Sequence, residues 1–279
     1  MRILLAAAVC AALLLTSCFG ENIEPESTAP LETSAASQAP EESRPVYLTQ
    51  DELAAMPAGT LVLPEKLDPS NLDSYFTASP ISDAVFARIN GVSFQENPYV
   101  TRDDLRYLRV LHNTIDGCVR TGEIIVHDLI AEDVCAIMKE LYEAEYPIEQ
   151  MRLIDDYNGS DDESMDDNNS SGFNYRMVRG THRLSKHAMG LALDINPLYN
   201  PYITQREGGS EWVVPKNGEK YTDRTADIPM KITKDTLIYK IFTEHGFRWG
   251  GTLYGSPDYM HFDREDLSNE VLRRHKNKK

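Results

Sequence analysis

The stretch Ser185-Lys186-His187-Ala188-Met189-Gly190-Leu191-Ala192-Leu193-Asp194 decides how this chain is read, because Asp258-Tyr259-Met260-His261 answers it much later. Together the two segments offer two imidazoles and one carboxylate to a metal. A second carboxylate stands three residues before the last imidazole. Three protein ligands leave one of zinc's four tetrahedral positions open, which separates a catalytic site from a closed structural one. The spare carboxylate is then placed to take a proton.

Local pattern predicts how these groups are carried. From Leu191 to Asn196 the chain alternates, with Leu191, Leu193 and Ile195 on one side and Ala192, Asp194 and Asn196 on the other. That is the period of a half-buried strand, with Asp194 facing away from the apolar side. Gly190 permits a sharp turn before it, so His187 is expected on a loop or short helical turn. Tyr259 to Asp263 reads as a second strand, and the Gly255-Ser256-Pro257 turn leaves Asp258 at a loop-to-strand junction. No H-E-x-x-H occurs, so a helical metal motif is excluded.

Neighbouring residues extend the candidate site. Phe173-Asn174-Tyr175-Arg176-Met177-Val178 also alternates and predicts a strand beside that of Asp194. Arg176 suits either of two tasks, stabilising charge on a carbonyl oxygen or holding a substrate carboxylate. Ser185 suits a hydrogen bond to substrate or a cap on the turn before His187. His182 competes locally as a ligand but falls outside the pattern, and His112, His127, His245 and His275 read as surface or satisfied histidines. Asp263 lies on the His261 side of its strand, where a carboxylate can orient a ligand imidazole.

The S-x-H-x6-D segment followed by a late D-x-x-H resembles the zinc D-alanyl-D-alanine carboxypeptidases, vancomycin-resistance D,D-dipeptidases and phage L-alanyl-D-glutamate endolysins. The longer stretches Ser170-Ser171-Gly172-Phe173-Asn174-Tyr175-Arg176 and Asp194-Ile195-Asn196-Pro197-Leu198-Tyr199-Asn200-Pro201-Tyr202 are similar to the endopeptidase-like subfamily. The resemblance covers roughly residues 80 to 270. It implies a zinc ion held by His187, Asp194 and His261, with Asp258 as catalytic base where some relatives carry Glu. It also implies a catalytic role for Arg176, peptidoglycan stem peptides as substrates and an L-alanyl-D-glutamate-type endopeptidase. The alternatives it leaves are a D-alanyl-D-alanine carboxypeptidase, or a wall-binding module that keeps the fold without turnover.

The N-terminus bears on where this happens. Arg2 precedes an apolar run from Ile3 to Leu15, too short to span a bilayer and typical of a signal segment. It ends in Leu15-Thr16-Ser17-Cys18, which resembles the lipobox of bacterial lipoproteins. That resemblance implies removal of residues 1–17, acylation of Cys18, and an extracytoplasmic, membrane-anchored protein. Residues 18–45 shift to Glu, Ser, Thr, Ala and Pro, a composition expected to remain a disordered acidic tether. Apolar residues return over 46–79, which read as an N-terminal extension packed on the main domain. Residues 80–272 are then the zinc peptidase domain and 273–279 a basic tail.

Within that domain Glu123 to His127 and Met151 to Ile154 predict strands. Ala131 to Ala144 predicts an amphipathic helix with Val134, Ile137, Met138 and Leu141 on one face, and Asp235 to His245 another that stops at Gly246. Strands dominate after Met151 in irregular order, which predicts an α+β fold whose small antiparallel sheet carries the zinc site, flanked by helices. The resemblance implies the same Hedgehog/DD-peptidase-like arrangement. Seven acidic residues between Asp155 and Asp167 lack the ligand order of a calcium loop and read as a solvated loop near the cleft. The net charge of −16 argues against nucleic acid as a partner and leaves membrane attachment to the lipid. Cys118 and Cys135 remain, as a disulfide or as two thiols.

Overall fold

The computed structural model describes residues 46–205 and 208–274. The stretches expected as signal segment and tether, with Cys18, and His275 with the rest of the expected tail, lie outside the described residues.

A capping box between Thr49 and Glu52 starts α1 (Gln50–Ala55), and β1 (Leu61–Val62) and β2 (Thr77–Pro80) follow. These short strands become the two edges of a four-stranded antiparallel sheet in the order β1-β4-β3-β2, around β3 (Leu105–Asn113) and β4 (Val119–His127). Pro80 is tolerated in β2 because an edge strand leaves one side unpaired. The segment also sends Leu53, Val62, Leu67, Tyr75 and Phe76 into the core. Between the second and third strands lies α2 (Asp83–Ile89), capped by Ser82. The β4 strand begins four residues before the predicted Glu123, because pairing with β3 continues unbroken to Asn113↔Val119.

The helix α3 (Ala131–Glu143) matches its prediction closely, with Val134, Ile137, Met138 and Leu141 all buried. Each such side chain stabilises the fold by about 1.5–3 kcal/mol when fully removed from water. A strand over Met151–Ile154 is not what forms. β5 is Gln150–Met151, paired in parallel with β6 (Asn169–Ser170), and a 3-10 turn takes Ile154–Tyr157. Between them the acidic run folds into α4 (Asp161–Asp166) in place of a solvated loop. Its carboxylates find partners: Asp155 accepts from the Ser93 amide and hydroxyl at 3.0 and 2.9 Å, Asp156 from Arg88 at 3.1 Å, and Asp162 from Arg179 at 2.8 Å.

The second half supplies β7 (Ala192–Asp194), the hairpin strands β8 (Tyr202–Gln205) and β9 (Glu211–Val214), and α5 (Leu237–Glu244). Then come β10 (Arg248–Trp249), β11 (His261–Asp263) and α6 (Ser268–Arg274). A three-stranded antiparallel sheet orders them β10-β11-β7. One face of it is closed by α5, whose Phe242 stacks on Phe262 at 4.1 Å between ring centres, and α3 packs against both α5 and β3. The architecture is therefore mixed α+β with small antiparallel sheets and helices.

Two local expectations change. β7 is three residues long and buried on both faces, not half-buried: Leu191, Leu193 and Ile195 enter the core, and Asn196 on the other side is fully buried. Asn196 satisfies that burial by accepting from the Glu149 amide at 3.1 Å and donating to the Pro147 carbonyl at 2.9 Å. In addition, α6 runs through Arg274, two residues past the boundary drawn at 272, and Arg274 donates to Asp128 at 2.8 Å. Cys118 and Cys135 are both free thiols, and burial pushes the Cys135 thiol up to about 12.

Candidate metal centre

His187 opens a 3-10 turn, His187–Met189, that leads directly into β7. The turn closes on Gly190 at φ +66°, where a Cβ would also stand 2.7 Å from the His127 amide nitrogen. Only glycine fits both the left-handed backbone and that close approach. Upstream, Ser185 is 4 % exposed and its hydroxyl accepts from the His187 amide at 3.2 Å, so it caps the turn. The same residue lines the cleft.

Register brings the candidate ligands together. His261 of β11 pairs directly with Asp194 of β7. In an antiparallel pair, opposite residues project to the same face. The sequence predicted a strand from Phe173 beside Asp194; it is Ser171 that forms the bridge, with amide-to-carbonyl bonds of 3.0 and 2.9 Å in both directions. Gly172 follows, and its carbonyl accepts from His187 Nδ1 at 2.7 Å. A Cβ on Gly172 would lie 2.4 Å from the Ile125 carbonyl oxygen, so the close backbone approach there excludes any side chain.

These contacts assign the imidazole faces. His187 donates from Nδ1 and presents Nε2 to the cleft, and His261 has Asp263 Oδ2 at 3.2 Å from its Nε2 and presents Nδ1. The two presented nitrogens are 3.2 Å apart. Asp194 completes the triangle, with Oδ2 3.2 Å from His187 Nε2 and Oδ1 3.0 Å from His261 Nδ1. Donor atoms on a tetrahedral zinc, bonded at about 2.0–2.1 Å, sit roughly 3.3 Å from one another. The observed edges match that spacing. Two imidazole lone pairs and a carboxylate converging this closely require a positive charge among them. Without a metal that charge is a proton: burial works against imidazolium at His261, but hydrogen bonds to Asp194 and Asp263 outweigh it and raise the group to about 10. The residues therefore fit a zinc ion, and His187, Asp194 and His261 form a group able to hold a metal.

Asp258 lines the same cleft. Its amide donates to the Gly250 carbonyl at 3.0 Å, and its backbone bridges Tyr202 at the start of β8. Its Oδ1 is buried with no hydrogen-bond partner. Burial pushes this carboxyl well above the usual range, with His261 opposing the shift and Asp194 adding to it. An orphaned buried acceptor beside His187, Asp194 and His261 is suited to receive a proton.

Arg176 also lines the cleft, which has a volume of about 710 Å³. It forms an ion pair with Asp161 of α4 and donates from Nη1 to the Ser185 hydroxyl at 3.3 Å. A hairpin places it there: Val178 and Arg183 bond across it at 2.8 Å, and the Ser185 amide donates to the Arg176 carbonyl at 3.1 Å. His182 sits on the exposed turn of that hairpin, outside the triad. His112 and His127 are buried and not on the surface, and His245 pairs with Glu140 at 2.9 Å.

Residues 179–264 match the family model for D-alanyl-D-alanine carboxypeptidase. That stretch contains Ser185, His187, Asp194, Asp258 and His261, whereas Gly172 and Arg176 lie upstream of it. At the level of the family, the match supports a metallopeptidase acting on peptidoglycan. No curated protein and no solved structure matches the chain.

Several neighbours of the site have no role that the sequence pattern assigns. Gly172 acts through its carbonyl, and Asp161, Lys186, Arg248 and Glu265 act through partners distant along the chain. The acidic run was the one visible signal for Asp161, and its arrangement as a helix beside the cleft was not readable from composition.

Proposed function

We propose that this protein is a zinc metallopeptidase that hydrolyses peptide bonds in peptidoglycan stem peptides, as an L-alanyl-D-glutamate-type endopeptidase. The observation that carries the reading is the triangle of His187 Nε2, His261 Nδ1 and an Asp194 oxygen, with edges of 3.0–3.2 Å, beside the unpartnered Asp258 carboxylate. The Asp-Ile-Asn-Pro-Leu-Tyr-Asn-Pro-Tyr segment that begins at Asp194 supports the endopeptidase class through its likeness to that subfamily.

A bound zinc would supply a Lewis acid that polarises the scissile carbonyl and makes water acidic enough to attack near neutral pH. The remaining work belongs to side chains. Asp258, whose buried Oδ1 has no other partner, takes the proton from the attacking water and returns it to the leaving amine. Arg176 holds a guanidinium in the cleft for the negative charge that develops on the carbonyl oxygen. Gly172 and Asp263 keep both imidazoles turned to the metal.

Metal content and turnover should separate by residue. His187→Ala, Asp194→Ala and His261→Ala each lose zinc, because one of three ligands is gone. Asp258→Ala keeps one zinc per chain and loses cleavage of purified muropeptides, measured by mass of the fragments. Wild-type turnover in Asp258→Ala would remove the assigned base, and normal zinc in His187→Ala would remove the ligand set. Fragments cut only at a terminal D-alanine would replace the endopeptidase by a carboxypeptidase.

A further inference from the structure

His261 has two ring nitrogens, of which only one would bind a metal in this group. Its Nδ1 faces Asp194 Oδ1 at 3.0 Å, while Nε2 lies 3.2 Å from Asp263 Oδ2. A neutral imidazole carries one proton, so an acceptor fixed at Nε2 leaves the lone pair on Nδ1. Asp263 is only 2 % exposed, and Arg248 grips both its oxygens, Nε to Oδ1 at 3.1 Å and Nη2 to Oδ2 at 2.7 Å.

The contacts continue beyond that pair. Arg248 also donates to Glu265 at 3.2 Å, and Glu265 meets the Lys186 ammonium at 2.8 Å. Lys186 directly precedes His187 and is tied to the Ser268 hydroxyl at 2.8 Å. A chain of alternating charge thus runs from the back of one ligand to the residue before the other. All four members line the cleft, and their charges sum to zero. The carboxylate behind His261 is therefore compensated by fixed cations and not by solvent alone.

We propose that Asp263, held by Arg248, is the positioning residue that commits His261 to present Nδ1 to the metal, and that the chain through Glu265 and Lys186 ties both imidazole ligands into one preorganised unit. This rests on the reading that His187, Asp194 and His261 hold zinc. A carboxylate acceptor at the far nitrogen fixes ring orientation and strengthens the ligand. Asp194, as an anionic ligand, cannot discriminate between the two ring faces by itself. Asp263 does so.

Competition with a chromogenic chelator gives zinc dissociation constants for wild type, Asp263→Ala, Asp263→Asn and Arg248→Gln. Asp263→Ala is expected to bind zinc about 10–100-fold more weakly. Asp263→Asn falls between, because its amide oxygen still accepts. Arg248→Gln shows a smaller loss of the same sign. In zinc-loaded wild type the His261 Nε2 proton is protected and visible by nitrogen-15 NMR, and in Asp263→Ala it is lost to solvent exchange; a merely structural carboxylate would not move that signal. Zinc affinity within twofold of wild type in Asp263→Ala overturns the proposal. Should that variant fail to fold, unchanged affinity in both Asp263→Asn and Arg248→Gln overturns it equally. A wild-type protein that binds no zinc overturns the metal reading itself, which is a distinct result.

Discussion

Arg176 shows how much one side chain's surroundings narrow its role. Its guanidinium is shared between Asp161 and the Ser185 hydroxyl, and that hydroxyl in turn receives the His187 amide. The planar fork is thus registered against the turn that carries His187. Lysine would keep the charge but cannot span two acceptors with fixed geometry. If the group meets charge that develops during reaction, Arg176→Lys lowers kcat and leaves KM nearly unchanged. Loss of one such donor elsewhere costs roughly 10²–10³ in kcat, and a fall on that order is expected here. Zinc content should stay at one per chain, since the triad is intact. A raised KM with kcat retained would assign Arg176 to a substrate carboxylate in the ground state. Wild-type values for both constants would leave it a structural hairpin residue.

At the scale of elements, what could be read from the sequence follows contact range. That His187, Asp194 and His261 form one group was legible because each segment places its chemistry at fixed local spacing, and β11 and β7 then pair so that His261 faces Asp194. The helix α3 was legible because its apolar face repeats over thirteen residues. The short strands were not: β1 and β5 have two residues each, too few to display a period. The fate of the acidic run was hidden for another reason, since its partners Arg88 and Ser93 lie more than sixty residues away. The same burial that obscured these contacts gives β3 a pH response. His112 on β3 is 2 % exposed, donates from Nδ1 to the Ile148 carbonyl at 2.7 Å, and leaves Nε2 without a partner. Burial holds it down at about 4 against an ordinary value of 6.5, so the folded state keeps it neutral where the unfolded chain takes up a proton. Its contribution to stability is complete above pH 6.5 and is lost as the pH falls towards 4, up to roughly 3 kcal/mol. His112→Gln should flatten that limb in urea unfolding between pH 6.5 and 4. Parallel pH slopes in the two proteins would mean the imidazole is already charged in the fold.

At the scale of the whole molecule, charge and attachment set the working conditions. A net charge of −16 disfavours electrostatic attraction to an anionic surface. Among the described residues, no helix is long and apolar enough to cross a bilayer. We propose that Cys18 carries the anchor, through its likeness to a lipobox cysteine. Each buried CH2 of an acyl chain contributes about 0.8 kcal/mol, and two or three chains together hold a protein stably where one does not. Cys18→Ser is expected to move the protein out of the membrane fraction, or to leave a precursor that still carries residues 1–17, while cleavage of soluble muropeptides by the folded domain is unchanged. Mass spectrometry of the wild-type N-terminus should show the added acyl mass on Cys18. A Cys18→Ser protein that is trimmed normally and still fractionates with membrane would exclude the lipid as the cause of attachment.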